Sequence, residues 1–127
     1  MSRAKRLAMA PLLFCLVSSA AAAPDGDPAA GAAVYERCLA CHSLDRNRTG
    51  PKHCGLIGRP AGALPDFPYS DAMRNSGLIW DPATLDRFLA DPMGMLPGTR
   101  MGYAGISDAK ARADLIAFLA TAGANCP

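Results

Sequence analysis

Within the heptapeptide "RCLACHS", Cys38, Cys41 and His42 place two thiols and an imidazole inside five consecutive positions. Three chemistries use such a group: metal ligation, thiol–disulfide exchange, and covalent attachment of a cofactor. A structural zinc site takes four ligands, typically as two close pairs. Here there is one tight group, Cys54 and Cys126 stand alone in the sequence, and His42 would crowd a metal bond at Cys41. A thioredoxin-like dithiol opens a helix in a β-α-β setting, whereas this pair closes a predicted helix that no strand precedes. Both readings fit the surroundings poorly. Covalent haem accounts for every position. Thiols three residues apart can add to the two vinyl groups on one porphyrin edge, and the next residue can ligate the iron, which is how C-x-x-C-H is read.

The other face of such an iron needs a ligand, and Met73, Met93, Met95 and Met101 lie downstream. A methionine is ordinarily a flexible filler of core gaps, and that reading suits three of them. "LPGTRMGYAGI" sets Met101 apart, because Pro97 and Gly98 turn the chain just before it, in a segment too irregular to pack a helix face. A His/Met pair favours ferrous iron and raises the potential. With both axial positions taken, oxygen and peroxide have no open site, which argues for electron transfer over catalysis. The alternatives are a haem enzyme such as a peroxidase and a non-redox structural haem domain.

Three helices must position these groups. "DPAAGAAVYERC" carries Asp27 as N-cap and Pro28 at the first helical position, and "DPATLDRFLADP" repeats the signal at Asp81 and Pro82. In the second, Leu85, Phe88 and Leu89 form an apolar face and Pro92 stops the run. "SDAKARADLIAFLATAG" is capped by Ser107, stopped at Gly123, and striped with Leu115, Ile116, Phe118 and Leu119. A shorter helix around "YSDAMRNSG" ends at Gly77. No alternating strand, repeat or domain boundary is visible. The fold class is therefore all-α, with three main helices plus a short one. Ser43 to Tyr69 and Met93 to Ile106 read as long loops, uncommon in a compact domain without a reason. Wrapping a large bound group supplies one, since one Trp, three Tyr and four Phe offer little core of their own.

The N-terminus reads as a secretory signal: Arg3, Lys5 and Arg6, then "LAMAPLLFCLV", then small residues. Cleavage is placed after Ala22, leaving residues 1–22 as signal and 23–127 as one domain. The apolar run falls short of the ~20 residues of a membrane span. Three of the 13 basic residues and none of the 11 acidic ones leave with it, so the mature chain is near neutral, with no basic patch for nucleic acid. Export brings the remaining thiols into an oxidising compartment.

The chain resembles the class I cytochromes c, in the branch of mitochondrial cytochrome c and its bacterial periplasmic relatives. The resemblance runs from about Gly26 to Thr121 and rests on "CLACH", "TGPKHCGLIGR", "YSDAM", "IWDPATLDRFLADP", "PGTRM" and "DLIAFL", in that order. It implies the family fold around one covalently attached haem c per chain, with thioethers at Cys38 and Cys41. It implies iron ligation by His42 and Met101, and a carbonyl at Pro51 that receives the second nitrogen of His42. Arg59, Tyr69, Trp80 and Thr99 would hydrogen-bond or neutralise the haem propionates. Gly31 and Tyr35 would pack against Leu115 and Phe118. The family fold also lays the loop after Pro51 beside the end of the last helix, implying a Cys54–Cys126 disulfide, the alternative being two free thiols.

The implied activity is that of a soluble periplasmic electron carrier, expected as a monomer without a membrane anchor. A cytochrome bc complex, a terminal oxidase or a dehydrogenase-linked cytochrome would be its partners by transient docking. Two departures stand out. Phe88 occupies a place where mitochondrial relatives commonly have tyrosine, and Met73 one where asparagine is common, so the pocket is expected to be drier. The near-neutral charge, with Arg where many relatives have Lys, points to different partners from theirs.

Overall fold

Asp followed by Pro opens three of the five α-helices found among the described residues. The computed structural model describes residues 25–126; the expected leader and its cleavage point lie outside them. In α1 (Pro28–Tyr35) the Asp27 carboxylate accepts from the Ala29 N–H, in α3 (Pro82–Ala90) Asp81 accepts from Thr84, and in α4 (Pro92–Met95) Asp91 accepts from Gly94. Each proline occupies a position whose N–H has no helical partner. The short α2 (Asp71–Arg74) is capped by Ser70, and α5 (Ala109–Ala122) by Asp108. Single 3-10 turns extend α1 through Cys38 and α5 through Asn125. Among the described residues there is no strand, only an isolated antiparallel bridge between Pro60 and Ile79.

Three boundaries differ from the sequence reading. Asp108, not Ser107, caps α5, because its side chain is the one that reaches an orphan N–H of the first turn, that of Lys110 at 2.9 Å. Pro92 does follow the end of α3, yet it also begins α4, which takes Met93 to Met95 out of the expected loop. The short helix stops at Arg74, three residues ahead of Gly77. Residues 43–69 are irregular as expected, apart from turns and the bridge.

The first and last helices make the scaffold. Gly31 and Tyr35, one turn apart, form the buried face of α1, and α5 is its main partner. A Cβ at Gly31 would lie 1.9 Å from the Asp114 carbonyl oxygen and 2.8 Å from Phe118 Cβ, so only glycine allows this crossing. The Tyr35 and Phe118 rings meet at 5.0 Å. Asp114 is buried on α5, where its carboxylate accepts the Asp27 backbone N–H at 2.6 Å and the Lys110 ammonium. α3 docks on α5 through Leu85, Phe88 and Leu89, and Arg112 of α5 donates to Asp86 at 2.7 Å. The core closes around Leu115, which is 1% exposed, a burial worth roughly 1.5–3 kcal/mol.

Loop 43–69 is held by backbone. The N–H groups of His53 and Cys54 donate to the carbonyls of Ser43 and Leu44, and Gly55 donates to Gly123 beyond α5. Beside that last contact the structure joins Cys54 to Cys126, with Cα atoms 5.8 Å apart.

Candidate functional site

The loops and helices enclose a cavity of about 550 Å³, within the roughly 300–1,000 Å³ of cofactor sites. It occupies the centre of the core: Tyr35, Leu56, Trp80, Leu85, Phe88, Leu89, Leu115 and Leu119 belong both to the cavity wall and to the buried cluster. A hollow of this size, lined largely by apolar side chains, leaves the core without a filling of its own, which suits a bulky occupant.

All nine residues expected to hold a cofactor face this one space: Cys38, Cys41, His42, Pro51, Arg59, Tyr69, Trp80, Thr99 and Met101. Cys38, at the end of the turn after α1, and Cys41 carry free thiols. Burial pushes the Cys38 thiol up, opposed by Arg37. His42 follows at once, its N–H closing a turn onto the Cys38 carbonyl at 2.9 Å. Its Nδ1 lies 2.8 Å from the Pro51 carbonyl oxygen. A carbonyl only accepts, so Nδ1 carries the proton and donates it, which leaves the Nε2 lone pair free for a metal. Burial pulls the His42 pKa down against the upward pull of this hydrogen bond, favouring the neutral, ligating form. Of the methionines, Met73 and Met101 line the cavity, whereas Met93 is half exposed and Met95 lies off the wall. The Met101 N–H donates to Thr99 Oγ1 at 3.3 Å.

Arg59 is half-buried, and burial pulls its pKa down. Its Nη1 and Nη2 donate to the Cys54 and Lys52 carbonyls at 2.9 Å each. Nε is buried without a partner, and among the described residues no carboxylate forms an ion pair with this guanidinium. An uncompensated cation on a cavity wall suits an anionic group on the occupant. Thiols, a neutral imidazole, a thioether, an apolar wall and this cation together fit a haem with its vinyl edge and its propionates.

The chain matches the cytochrome c family over residues 28–123. It belongs to that family. Cytochrome c2 of Rhodomicrobium vannielii is 44% identical over 120 residues, spanning 92% of this chain and 96% of that protein. Cytochrome c2 of Blastochloris viridis is 41% identical over 110 residues, 84% of this chain and 87% of its own. The solved structure of cytochrome cH from Methylobacterium extorquens superposes with a TM-score of 0.74 at 45% identity, covering 76% of this chain and 99% of that one. Membership brings one covalently bound haem c per chain, the helical class I fold and the role of an electron carrier rather than an enzyme. Among the described residues of this cytochrome c no helix is long and apolar enough to cross a membrane.

Two features of the cytochrome's site went unread in the sequence. Gly50 abuts the His42 imidazole: a Cβ there would stand 2.3 Å from His42 Cε1 and 2.6 Å from Nδ1, so a side chain would displace the ring. The remaining histidine, His53, stacks on His42 with ring centroids 4.2 Å apart and planes inclined by 24°. Burial first, then His42 and Arg59, hold His53 down at about 3. Its Nδ1 shares a 3.1 Å hydrogen bond with the hydroxyl of Tyr35, a phenol that burial raises to about 12. The sequence signal was there, a second histidine two residues after Pro51, but nothing local says what it faces. Phe88 is buried and tilted against Trp80 at 5.0 Å.

Proposed function

We propose that Cys38 and Cys41 would hold the haem of this cytochrome through thioethers, and that His42 Nε2 and the Met101 sulfur would ligate its iron. The observation that carries this is the convergence of both thiols, the Pro51-bonded imidazole and Met101 on one wall-to-wall cavity. When bound, the haem supplies a one-electron ferric/ferrous couple. The chain does the rest. Pro51 fixes the tautomer and tilt of His42, and the soft sulfur of Met101 raises the potential. Arg59, with Tyr69, Trp80 and Thr99, meets the propionates. The apolar wall of Leu85, Phe88, Leu89 and Leu115 keeps water from the centre, and Phe88 and Met73 keep it drier than a hydroxyl or an amide there would.

The same proposal includes export, loss of residues 1–22 and work in the periplasm as the single domain 23–127, stapled by Cys54–Cys126. Exposed Arg37, Arg48 and Arg100 border the cavity and would steer acidic partners to a small, transient interface. A cytochrome bc complex, a terminal oxidase or a dehydrogenase-linked cytochrome is the partner class. Met101→Ala tests the site: the sulfur-to-iron charge-transfer band of the oxidised protein should vanish and the potential fall. Retention of the band would move the ligand elsewhere, to Met73 first, since it shares the cavity.

A further inference from the structure

Neither the attachment motif nor the ligand set accounts for His53. Its ring is not left to find its own place. The backbone on both sides is pinned, His53 N–H donating to Ser43 O at 3.0 Å, Cys54 N–H to Leu44 O at 2.8 Å, and Leu56 N–H to His53 O at 3.0 Å. Tyr35, 4% exposed and wedged against Phe118, holds Nδ1 from the scaffold side. What that anchored ring touches is His42, nearly parallel at 4.2 Å. The hydrogen bond to Pro51 holds His42 at one atom and Gly50 abuts the ring, but neither lays a flat face along the imidazole to limit its rocking. A face-to-face neighbour removes this freedom, because rocking would drive one ring into the other.

We propose that His53 is a positioning residue which, braced by Tyr35, sets the rotational orientation of the His42 imidazole plane. The inference rests on ligation of the iron by His42. The plane of an axial imidazole governs how the upper-filled d orbitals of ferric iron split, so the g values and the hyperfine-shifted proton signals of the oxidised protein read that orientation directly. A merely structural role would leave them alone.

The experiment compares the holoprotein with His53→Leu, His53→Phe and Tyr35→Phe by electron paramagnetic resonance and proton NMR of the ferric form, with thermal melts alongside. His53→Leu should displace the largest g value beyond the native linewidth while the Met charge-transfer band persists. His53→Phe restores an aromatic face without the hydrogen bond, so its g values should return toward native although its melting temperature stays lowered. Native g values in His53→Leu would overturn the proposal, as would His53→Phe deviating as far as His53→Leu. Should His53→Leu yield no holoprotein, Tyr35→Phe decides: broadened or shifted signals support the brace, and native ones reject it. Failure of the underlying ligation looks different, since the unsubstituted protein would then lack a low-spin His/Met spectrum altogether.

Discussion

Where α1 crosses α5, backbone lies on backbone: Gly31 leaves no room for a methyl group against the Asp114 carbonyl, and a buried carboxylate fastens the start of one helix to the side of the other. Around the cavity such contacts are local. Residues 43–69 are tied by scattered main-chain hydrogen bonds and a few ring contacts, such as Phe67 on Tyr69 at 4.8 Å, and many of their inward side chains face a hollow of about 550 Å³. The junction carries its own complementarity; the loops borrow theirs from the occupant. One chain thus contains a region whose stability is written in its sequence and another whose stability is written in its cofactor.

The sharpest way to break this contrast is Cys38→Ala with Cys41→Ala, which prevents attachment. Without an occupant the side chains around the cavity lose their packing partners, so near-ultraviolet circular dichroism and amide protection in loop 43–69 should be lost. Loops that stay protected without haem would refute the idea that they depend on it. Next in size is the staple. Cys54→Ser should cost roughly 2–4 kcal/mol in denaturant unfolding, given a loop of 72 residues. Alkylation of the unfolded, unreduced native protein should add no label before reduction; two labels would show that the thiols are free.

On the scaffold side, Gly31→Ala forces the helices apart and should destabilise by about 3 kcal/mol. The charge-transfer band of the surviving folded fraction should be untouched. Loss of the band would mean that the two regions are not separable. The smallest effect concerns Asp114. The Lys110 ammonium, then the Asp27 N–H, hold its carboxyl below the usual carboxylate range. Its folded pKa being lowered, the unfolded state binds more protons as pH falls. The contribution is therefore complete above the ordinary Asp value of about 3.9 and is lost as pH drops through the folded value. Asp114→Asn should melt lower than the native protein at neutral pH, with the gap narrowing below about pH 4. A gap independent of pH would remove the charge from the argument.

The sequence was most legible where chemistry is local. α1 and α3 were readable because Asp-Pro marks a helix start with two adjacent residues. The same dipeptide at Asp91 and Pro92 was taken only as a stop, although it opens α4 as well. Ser107 and Asp108 are both competent caps, and which side chain reaches back is settled by the loop behind them, not by residue type. The residues expected to hold the cofactor stand out through motif and family pattern. His53 was not, because its meaning comes from Tyr35, 18 residues earlier, and from His42 across a turn. Asp114 was hidden for a similar reason: it reads as an ordinary helical carboxylate until α1 is laid against it.

That the first and last helices are partners has a consequence for how the molecule is made. α1, eight residues long, is too short to persist alone in water, and its partner α5 begins only at Ala109. Until α5 arrives the chain has no scaffold, and the segment from Cys38 to His42 stays accessible on an unstructured polymer. The thiols of Cys38 and Cys41 are thereby held in no fixed geometry until α5 docks, and Cys41 stays exposed even then.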